Sequence, residues 1–353
     1  MSDLFCEPPH SFGEAPFAQF VSVLLLWFEE HARDLPWRRE YTPYGVWIAE
    51  VMLSQTQVAR VVSYYERFLK RFPDVASLAS ASQEEVFLLW EGLGYYRRAL
   101  DLHKAAQVIS QEFGGTIPRD YVSLRKLPGV GPYIASAILA IGYNDPVLAL
   151  EANGRRVLAR FFGLSREHIP QEVVEHLASC IPQGKARLVN QAIMDFGALV
   201  CTPRNPKCSP CPLREDCVSC GREGSVGKAQ KRILKNLRVA LCFEDEMVLL
   251  EKSAGRLFAE LFVFPWGEDT GDPKTWMEEL GKRYDFTPEN LHFVGAFTHA
   301  YTRYKVYVRV FRVLVRRQGE EGVWVPKGKL SKYPFPSLFR KALCLAFPGE
   351  YPL

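Results

Sequence analysis

Five cysteines fall within twenty residues, CTPRNPKCSPCPLREDCVSC, from Cys201 to Cys220, and no histidine stands among them. Cys201, Cys208, Cys211 and Cys217 are spaced C-x6-C-x2-C-x5-C. Cysteines this dense in a cytosolic chain point to metal ligation rather than to disulfides. Zinc and an iron-sulfur cluster are the two candidates. Structural zinc commonly takes two separated C-x2-C knuckles, and one is present here. All-thiolate ligation with prolines threaded between the ligands suits a 4Fe-4S cluster, whose four irons each take one thiolate. Cys220 is left over as a fifth thiol.

Two further stretches carry chemistry. TPYGVWIAEVMLSQTQV sets Glu50 alone in an apolar helical pattern, beside Trp47, Ile48, Val51 and Met52. Burial there would raise its pKa by disfavouring the charged form, and a proton retained near neutral pH is what a general acid needs. A helix exposing Glu50 on a polar face would explain the same letters. LRKLPGVGPYIASAILA ends one helix at Leu127, turns through Pro128, Gly129, Val130 and Gly131, and starts another at Pro132. The glycines let the backbone approach a ligand, and proline suits the first helical position. Free N–H groups and the positive dipole end then face outward, as a phosphate site requires.

These groups must be positioned by a scaffold. From Pro16 to about Val200 apolar residues recur at helical spacing, punctuated by Gly and Pro, which predicts about ten helices. Ser82, three residues ahead of Glu85 in SQEEVFLLWEGLG, signals one helix start, and Gly92 and Gly94 its end. REGSVGKAQKRILKNL is polar and basic and reads as a linker. After it the period changes. NLRVALCFEDEMVLLEKS predicts two strands about an acidic turn, KVYVRVFRVLV a half-buried strand, and TWMEELGKRYDF and SLFRKALCLAF two helices. A helical domain over 1–221, a basic linker over 222–236 and a smaller α+β domain over 237–353 follow.

Composition agrees. The chain has 353 residues, 48% of them hydrophobic and 24% charged, enough to bury two cores without staples. The apolar run FAQFVSVLLLWF is too short to span a bilayer, and neither a basic n-region nor a small-residue cleavage site flanks it, so a cytoplasmic protein is expected. Net charge is +4, but residues 201–238 alone carry nine Lys or Arg against three acids. A basic stripe of that kind is the footprint of a polyanion binder; a solvated linker would look the same.

The cysteine spacing after NQAIMDFGALV resembles the iron-sulfur loop of the endonuclease III and MutY superfamily of DNA glycosylases, and LPGVG resembles its helix-hairpin-helix motif. EVML-x-QTQV resembles the signature around the catalytic glutamate of the MutY family. The resemblance implies an all-α helix-hairpin-helix glycosylase domain with an iron-sulfur loop, followed by an α+β MutT-like (Nudix-fold) domain. It implies a 4Fe-4S cluster on Cys201, Cys208, Cys211 and Cys217, chiefly structural. Glu50 takes the family role of protonating N7 of adenine. Gly129 and Gly131 fall on phosphate, Gln55 and Tyr95 on positions that wedge into the duplex, and Arg33 and Trp37 around the adenine pocket. Tyr133 stands where bifunctional relatives carry a Schiff-base lysine, which argues against lyase chemistry, and matches a tyrosine that assists the sugar-stabilising carboxylate.

That second carboxylate departs from the family. The family form is L/V-D-G-N-V-x-R-V, with the aspartate three residues before the helix proper. The segment here, LEANGRRVLAR, puts Glu151 at the aspartate, Ala152 at the glycine and Asn153 at the asparagine. The charge is kept on an arm one methylene longer, and Ala152 forbids a glycine-only backbone angle. Glu151 is expected to stabilise the sugar cation, with Asn153 supporting it and excision slower than in Asp-Gly relatives. In the C-terminal domain GRLFAELFVFPWGE parallels a leucine-rich family strand, with the order Pro265-Trp266. The R-E-x-x-E-E hydrolase signature is missing, so no Mg²⁺-dependent nucleotide hydrolysis is expected. Phe297, Thr298 and His299 match a Phe-Ser-His loop that reads oxidised purine.

The expected function is base-excision repair by a monofunctional adenine DNA glycosylase. Its partner would be double-stranded DNA holding adenine opposite 8-oxoguanine or guanine; the protein would work as a monomer, associated with the nucleoid and away from membranes. A related glycosylase removing another mispaired base, or a catalytically silent lesion-binding protein, would share many of these letters.

Overall fold

The structure is a computed structural model, and it describes residues 14–221, 233–253, 258, 261–301 and 304–351. The expected linker falls outside the described residues as far as position 232, as does part of GRLFAELFVFPWGE. The chain divides into two compact units. One comprises Met1–Ser80 and Asp101–Gly227; the other comprises Ala81–Leu100 and Lys228–Leu353.

Helices fill the chain up to residue 199. They are α1 (Glu14–His31), α2 (Pro43–Leu53), α3 (Val58–Arg71), α4 (Val75–Ala79), α5 (Gln83–Trp90), α6 (Arg97–Glu112), α7 (Tyr121–Lys126), α8 (Pro132–Ala137), α9 (Ala152–Phe162), α10 (Gln171–Ser179) and α11 (Ala186–Leu199). A 3-10 turn, Pro36–Arg38, precedes α2, and a π-helical turn, Ile138–Gly142, continues α8. Their ends follow local chemistry. Thr42 Oγ1 accepts the Gly45 N–H at 3.0 Å and Pro43 opens α2, while Ser82 Oγ accepts the Glu85 N–H at 3.2 Å at the start of α5. Each side-chain oxygen satisfies an N–H that the helix leaves unpaired.

Two packings in the first unit bear on the site. Aromatic residues of α1 and α9 form one core, with Phe17 stacked on Phe162 at 4.7 Å and Phe20 tilted against Phe161 at 4.8 Å. The other joins α2 to α8 and the π-helical turn through Val46, Ala137, Ala140 and Ile141. It is close: a β-carbon built on Gly142 would stand 2.9 Å from Pro43 Cα. Residues 44–52 are all buried, so α2 is enclosed on every face. A helix hydrophobic all round belongs in a core, and α2 is one except for Glu50.

The second unit is built on a sheet of seven strands, β1 (Ile233–Glu244), β2 (Met247–Lys252), β3 (Phe262–Val263), β4 (Trp266–Glu268), β5 (Phe286–Tyr301), β6 (Tyr304–Arg317) and β7 (Val323–Pro326). The order is β3-β2-β1-β6-β5, with β4 on β1 and β7 on β2. β1 runs parallel to β6 and the other pairs are antiparallel. Helices α12 (Pro273–Tyr284) and α13 (Ser337–Ala346) complete it. Along β1, Leu237, Val239 and Leu241 face a core with α13, while Ala240 and Cys242 face a core with α12. Covering both faces explains why six consecutive β1 residues are buried. No helix among the described residues is long and apolar enough to cross a membrane.

The Gly142–Pro43 approach generates a test. Replacing Gly142 by alanine should destabilise the chain by about 1–3 kcal/mol, because backbone rather than a flexible side chain must yield. Urea denaturation would measure this, and an unchanged midpoint would show that α2 does not lie so close.

Candidate active site

Glu50 sits two turns into α2, which Thr42 caps and Gly142 approaches. It is 6% exposed, so the enclosed reading of its helix holds and the amphipathic one fails. Tyr133, the second residue of α8, donates its hydroxyl to Glu50 Oε2 at 2.6 Å. Burial pushes the Glu50 carboxyl up to about 7, aided by the negative charge of Glu151; the Tyr133 hydrogen bond and the Arg38 charge pull the other way without cancelling it. Burial, then the neighbouring Glu50, holds Tyr133 well above an ordinary phenol, so it acts as a neutral donor.

These two residues line a cavity of about 330 Å³ that also takes in Arg33, Trp37, Gln55, Glu151 and Asn153. Seven residues singled out in the sequence therefore share one site. Leu35, Arg38, Gln191 and Met194 line it as well. Gln55 follows the end of α2, exposed and with its backbone at φ 62°. Trp37 is buried edge-on against Tyr65 at 5.5 Å.

Behind the cavity lies a polar group that the sequence reading missed. Asp195 of α11 is fully buried. Its Oδ1 accepts from Arg33 Nε at 2.9 Å and Arg38 Nη2 at 2.9 Å, and its Oδ2 from Arg38 Nη1 at 2.8 Å and the Arg33 backbone N–H at 3.3 Å. Burial alone would raise its pKa; the hydrogen bonds of Arg38 and Arg33 outweigh burial and leave the carboxyl below its usual range. A signal was present, since Asp195 stands alone among apolar residues in AIMDFGAL as Glu50 does in its own stretch.

Glu151 is the N-cap of α9, and its Oε1 accepts the Gly154 N–H at 3.2 Å. The sequence placed this carboxylate three residues before the helix. Instead α9 begins at Ala152, with Glu151 directly before it as its cap. Ala152 adopts ordinary helical backbone. Asn153 Oδ1 accepts from Arg156 Nη2 at 2.7 Å, and Arg156 also donates to Gly197 O at 2.7 Å and Cys201 O at 2.9 Å.

Arg156 thereby touches the cysteine loop. Cys201, Cys208, Cys211 and Cys217 together line a second cavity of about 40 Å³, closed by Phe161, Phe196 and Leu213. Arg160 of α9 donates to Thr202 O at 2.7 Å, Pro203 O at 3.0 Å and Cys201 Sγ at 3.3 Å. Four thiols line one small space with a cation beside one of them, which is the donor chemistry of an all-thiolate group, although among the described residues no three ligand side chains converge closely enough to share a metal ion. Cys220 does not line that space.

The remaining candidates are not among the residues that line the Glu50 cavity. In the hairpin, Gly129 takes φ 73°, which favours glycine, whereas Gly131 is an extended N-cap whose missing side chain leaves open space. Tyr95 belongs to the second unit, on the turn between α5 and α6. Phe297, Thr298 and His299 were expected in a loop, but they lie in β5, paired with Val308, Tyr307 and Val306 of β6. The long β5–β6 ladder satisfies their backbone groups and holds them extended. Burial, then the charge of Lys341, keeps His299 below an ordinary imidazole.

Residues 48–183 match the HhH-GPD superfamily of base excision DNA repair proteins, and residues 238–345 match the NUDIX domain. The chain is similar to a solved thermostable thymine-DNA glycosylase, 30% identical with a TM-score of 0.55, covering 58% of this chain and 96% of that one. An endonuclease III–DNA complex, 22% identical with a TM-score of 0.52 and covering 59% and 97%, shares the fold. The adenine DNA glycosylase of Buchnera aphidicola subsp. Baizongia pistaciae is 30% identical over 308 residues, 84% of this chain and 87% of its own length. That match runs through both domains. The chain belongs to the MutY family of adenine DNA glycosylases. It is a DNA glycosylase, with a helical endonuclease III-type domain followed by a Nudix domain.

The Glu50 environment predicts how stability varies with pH. The folded pKa, about 7, lies above the ordinary 4.5. Below the ordinary value the carboxyl is neutral in both states and burial costs nothing further. As pH rises towards and past 7 the folded chain loses up to about 3 kcal/mol relative to the unfolded one. Glu50→Gln carries no such penalty. Urea denaturation should therefore show the variant gaining on the parent by about that amount between pH 5 and pH 8. A constant difference would mean that Glu50 is charged in the folded protein.

Proposed function

We propose that the chain removes adenine mispaired with 8-oxoguanine or guanine, as a monofunctional glycosylase. The observation that carries this is a carboxyl 6% exposed and hydrogen-bonded by a neutral phenol, lining a cavity of about 330 Å³, within the size range of small-molecule sites; burial raises its pKa to about 7. Adenine is a poor leaving group as an anion, so a proton must reach its ring before the bond breaks. With Tyr133 occupying Oε2, Oε1 of Glu50 is free to deliver that proton to N7 of a base extruded from the stack. The C1′–N9 bond then breaks with its electrons going to the protonated base, and the sugar gains oxocarbenium character. Glu151 lines the same cavity and supplies negative charge to that cation, as paired carboxylates do in glycoside hydrolysis. Water adds its oxygen to C1′ and returns a proton to Glu50.

Asn153 supports Glu151 from the first turn of α9, and Arg33 and Trp37 shape the wall around the base. Gly129 and Gly131 present N–H groups to phosphate, while Gln55 and Tyr95 enter the duplex. Phe297, Thr298 and His299 read the base opposite. A 4Fe-4S cluster on Cys201, Cys208, Cys211 and Cys217 would hold the loop that Arg160 grips and takes no part in the bond-breaking step.

On a duplex with adenine opposite 8-oxoguanine, strand breaks should therefore develop only after alkali treatment. Single-turnover excision should fall as pH rises through about 7, because the acid loses its proton. Glu50→Gln should lower the rate at least about 100-fold, and Glu151→Ala should lower it as well. Binding without product would mark a lesion-binding protein instead, and an unchanged rate in Glu50→Gln would end this reading.

A further inference from the structure

The turn between α5 and α6 presents Tyr95 with 44% of its surface exposed and its backbone at φ 50°. A residue with a β-carbon pays for that left-handed conformation and keeps it only where its surroundings hold it. The local part of the hold is visible. Trp90 Nε1 and Arg98 Nη2 each donate to Gly94 O at 3.0 Å, and the Arg98 guanidinium lies 5.4 Å from both the Trp90 and the Tyr95 ring centres.

The other part comes from far along the chain. Arg340 of α13 forms a two-pronged ion pair with Glu91, Nε to Oε1 at 2.8 Å and Nη2 to Oε2 at 2.7 Å. Its side chains are only 18% and 19% exposed, so solvent screens it less than a surface pair, and the fork geometry is the strong form of this contact. Tyr96 donates its hydroxyl to Phe335 O at 3.1 Å. Glu91 precedes the turn and Tyr96 directly follows Tyr95. The exposed ring is thus fastened on both flanks to residues 335–340.

We propose that Arg340 is a positioning residue for Tyr95: it holds the turn so that the aromatic ring enters the duplex and drives extrusion of the target base. This rests on the reading of Tyr95 as a wedge, in the manner of side chains that unstack base steps. The C-terminal part of the chain then acts on extrusion as well as on the opposite base.

The test uses full-length proteins and a duplex carrying 2-aminopurine beside the target adenine, whose fluorescence rises on unstacking. Arg340→Met should slow the stopped-flow rise about tenfold, equivalent to about 1.4 kcal/mol. Tyr95→Ala should slow it at least as much. The double variant should be no slower than Tyr95→Ala alone, because the two residues act through one event. Reversing the pair, Glu91→Arg with Arg340→Glu, should recover most of the rate. If Arg340→Met does not fold, Glu91→Gln is judged by the same criteria. Parental unstacking rates in Arg340→Met or in Tyr95→Ala, or fully additive effects, would overturn the proposal. Extrusion without adenine release would count against the glycosylase reading alone, since the fluorescence criteria apply unchanged.

Discussion

Placing one carboxyl inside a helix that has no polar face is the constraint around which the first unit is arranged. An isolated carboxylate there would be prohibitively expensive, and the chain meets the problem by leaving the proton on. This requires α2 to be packed on every face except where Glu50 and its neighbours Val46, Ala49 and Leu53 line the cavity. The Thr42 cap, the close seat of Pro43 against Gly142 and the apolar wall from the π-helical turn all serve that end. Tyr133 supplies one hydrogen bond to the acid without supplying a charge. A lysine in its place would have drawn the proton away.

Asp195 shows the alternative resolution. It too is a lone carboxyl on a buried helical face, yet two guanidiniums saturate both of its oxygens and it stays ionised. One cavity therefore contains an acid kept neutral by isolation and, behind it, a carboxylate kept charged by pairing. Arg38 serves both, bound to Asp195 while restraining the rise at Glu50.

Much of this was legible in the sequence where the relevant physics is local. The cap at Ser82 and the proline-opened helix at Pro132 lie where the letters put them, and so do β2, β6, α12 and α13, whereas β1 starts at Ile233, inside the stretch expected as linker. Solitary Glu50 was visible, but its enclosure was not, because burial depends on neighbours distant in the chain. The Arg33–Arg38–Asp195 group was missed for the same reason. Strand β5 escaped notice because Pro288, Asn290 and Gly295 interrupt its alternation, and the structure absorbs them as irregularities between Pro288 and Asn290 and between Phe293 and Gly295. Glu151 stands directly before α9 as its cap rather than three residues ahead of it, a hydrogen bond to the Gly154 N–H that motif alignment does not weigh.

The contact between Gly142 and Pro43 makes acidity at this site a mechanical quantity. Neither residue can exchange a proton, yet their separation sets how tightly the first turn of α2, and with it the helix that carries the carboxyl, is seated. Chains that differ only in bulk at such a seam could run the same chemistry at different pH, with every reacting group left untouched.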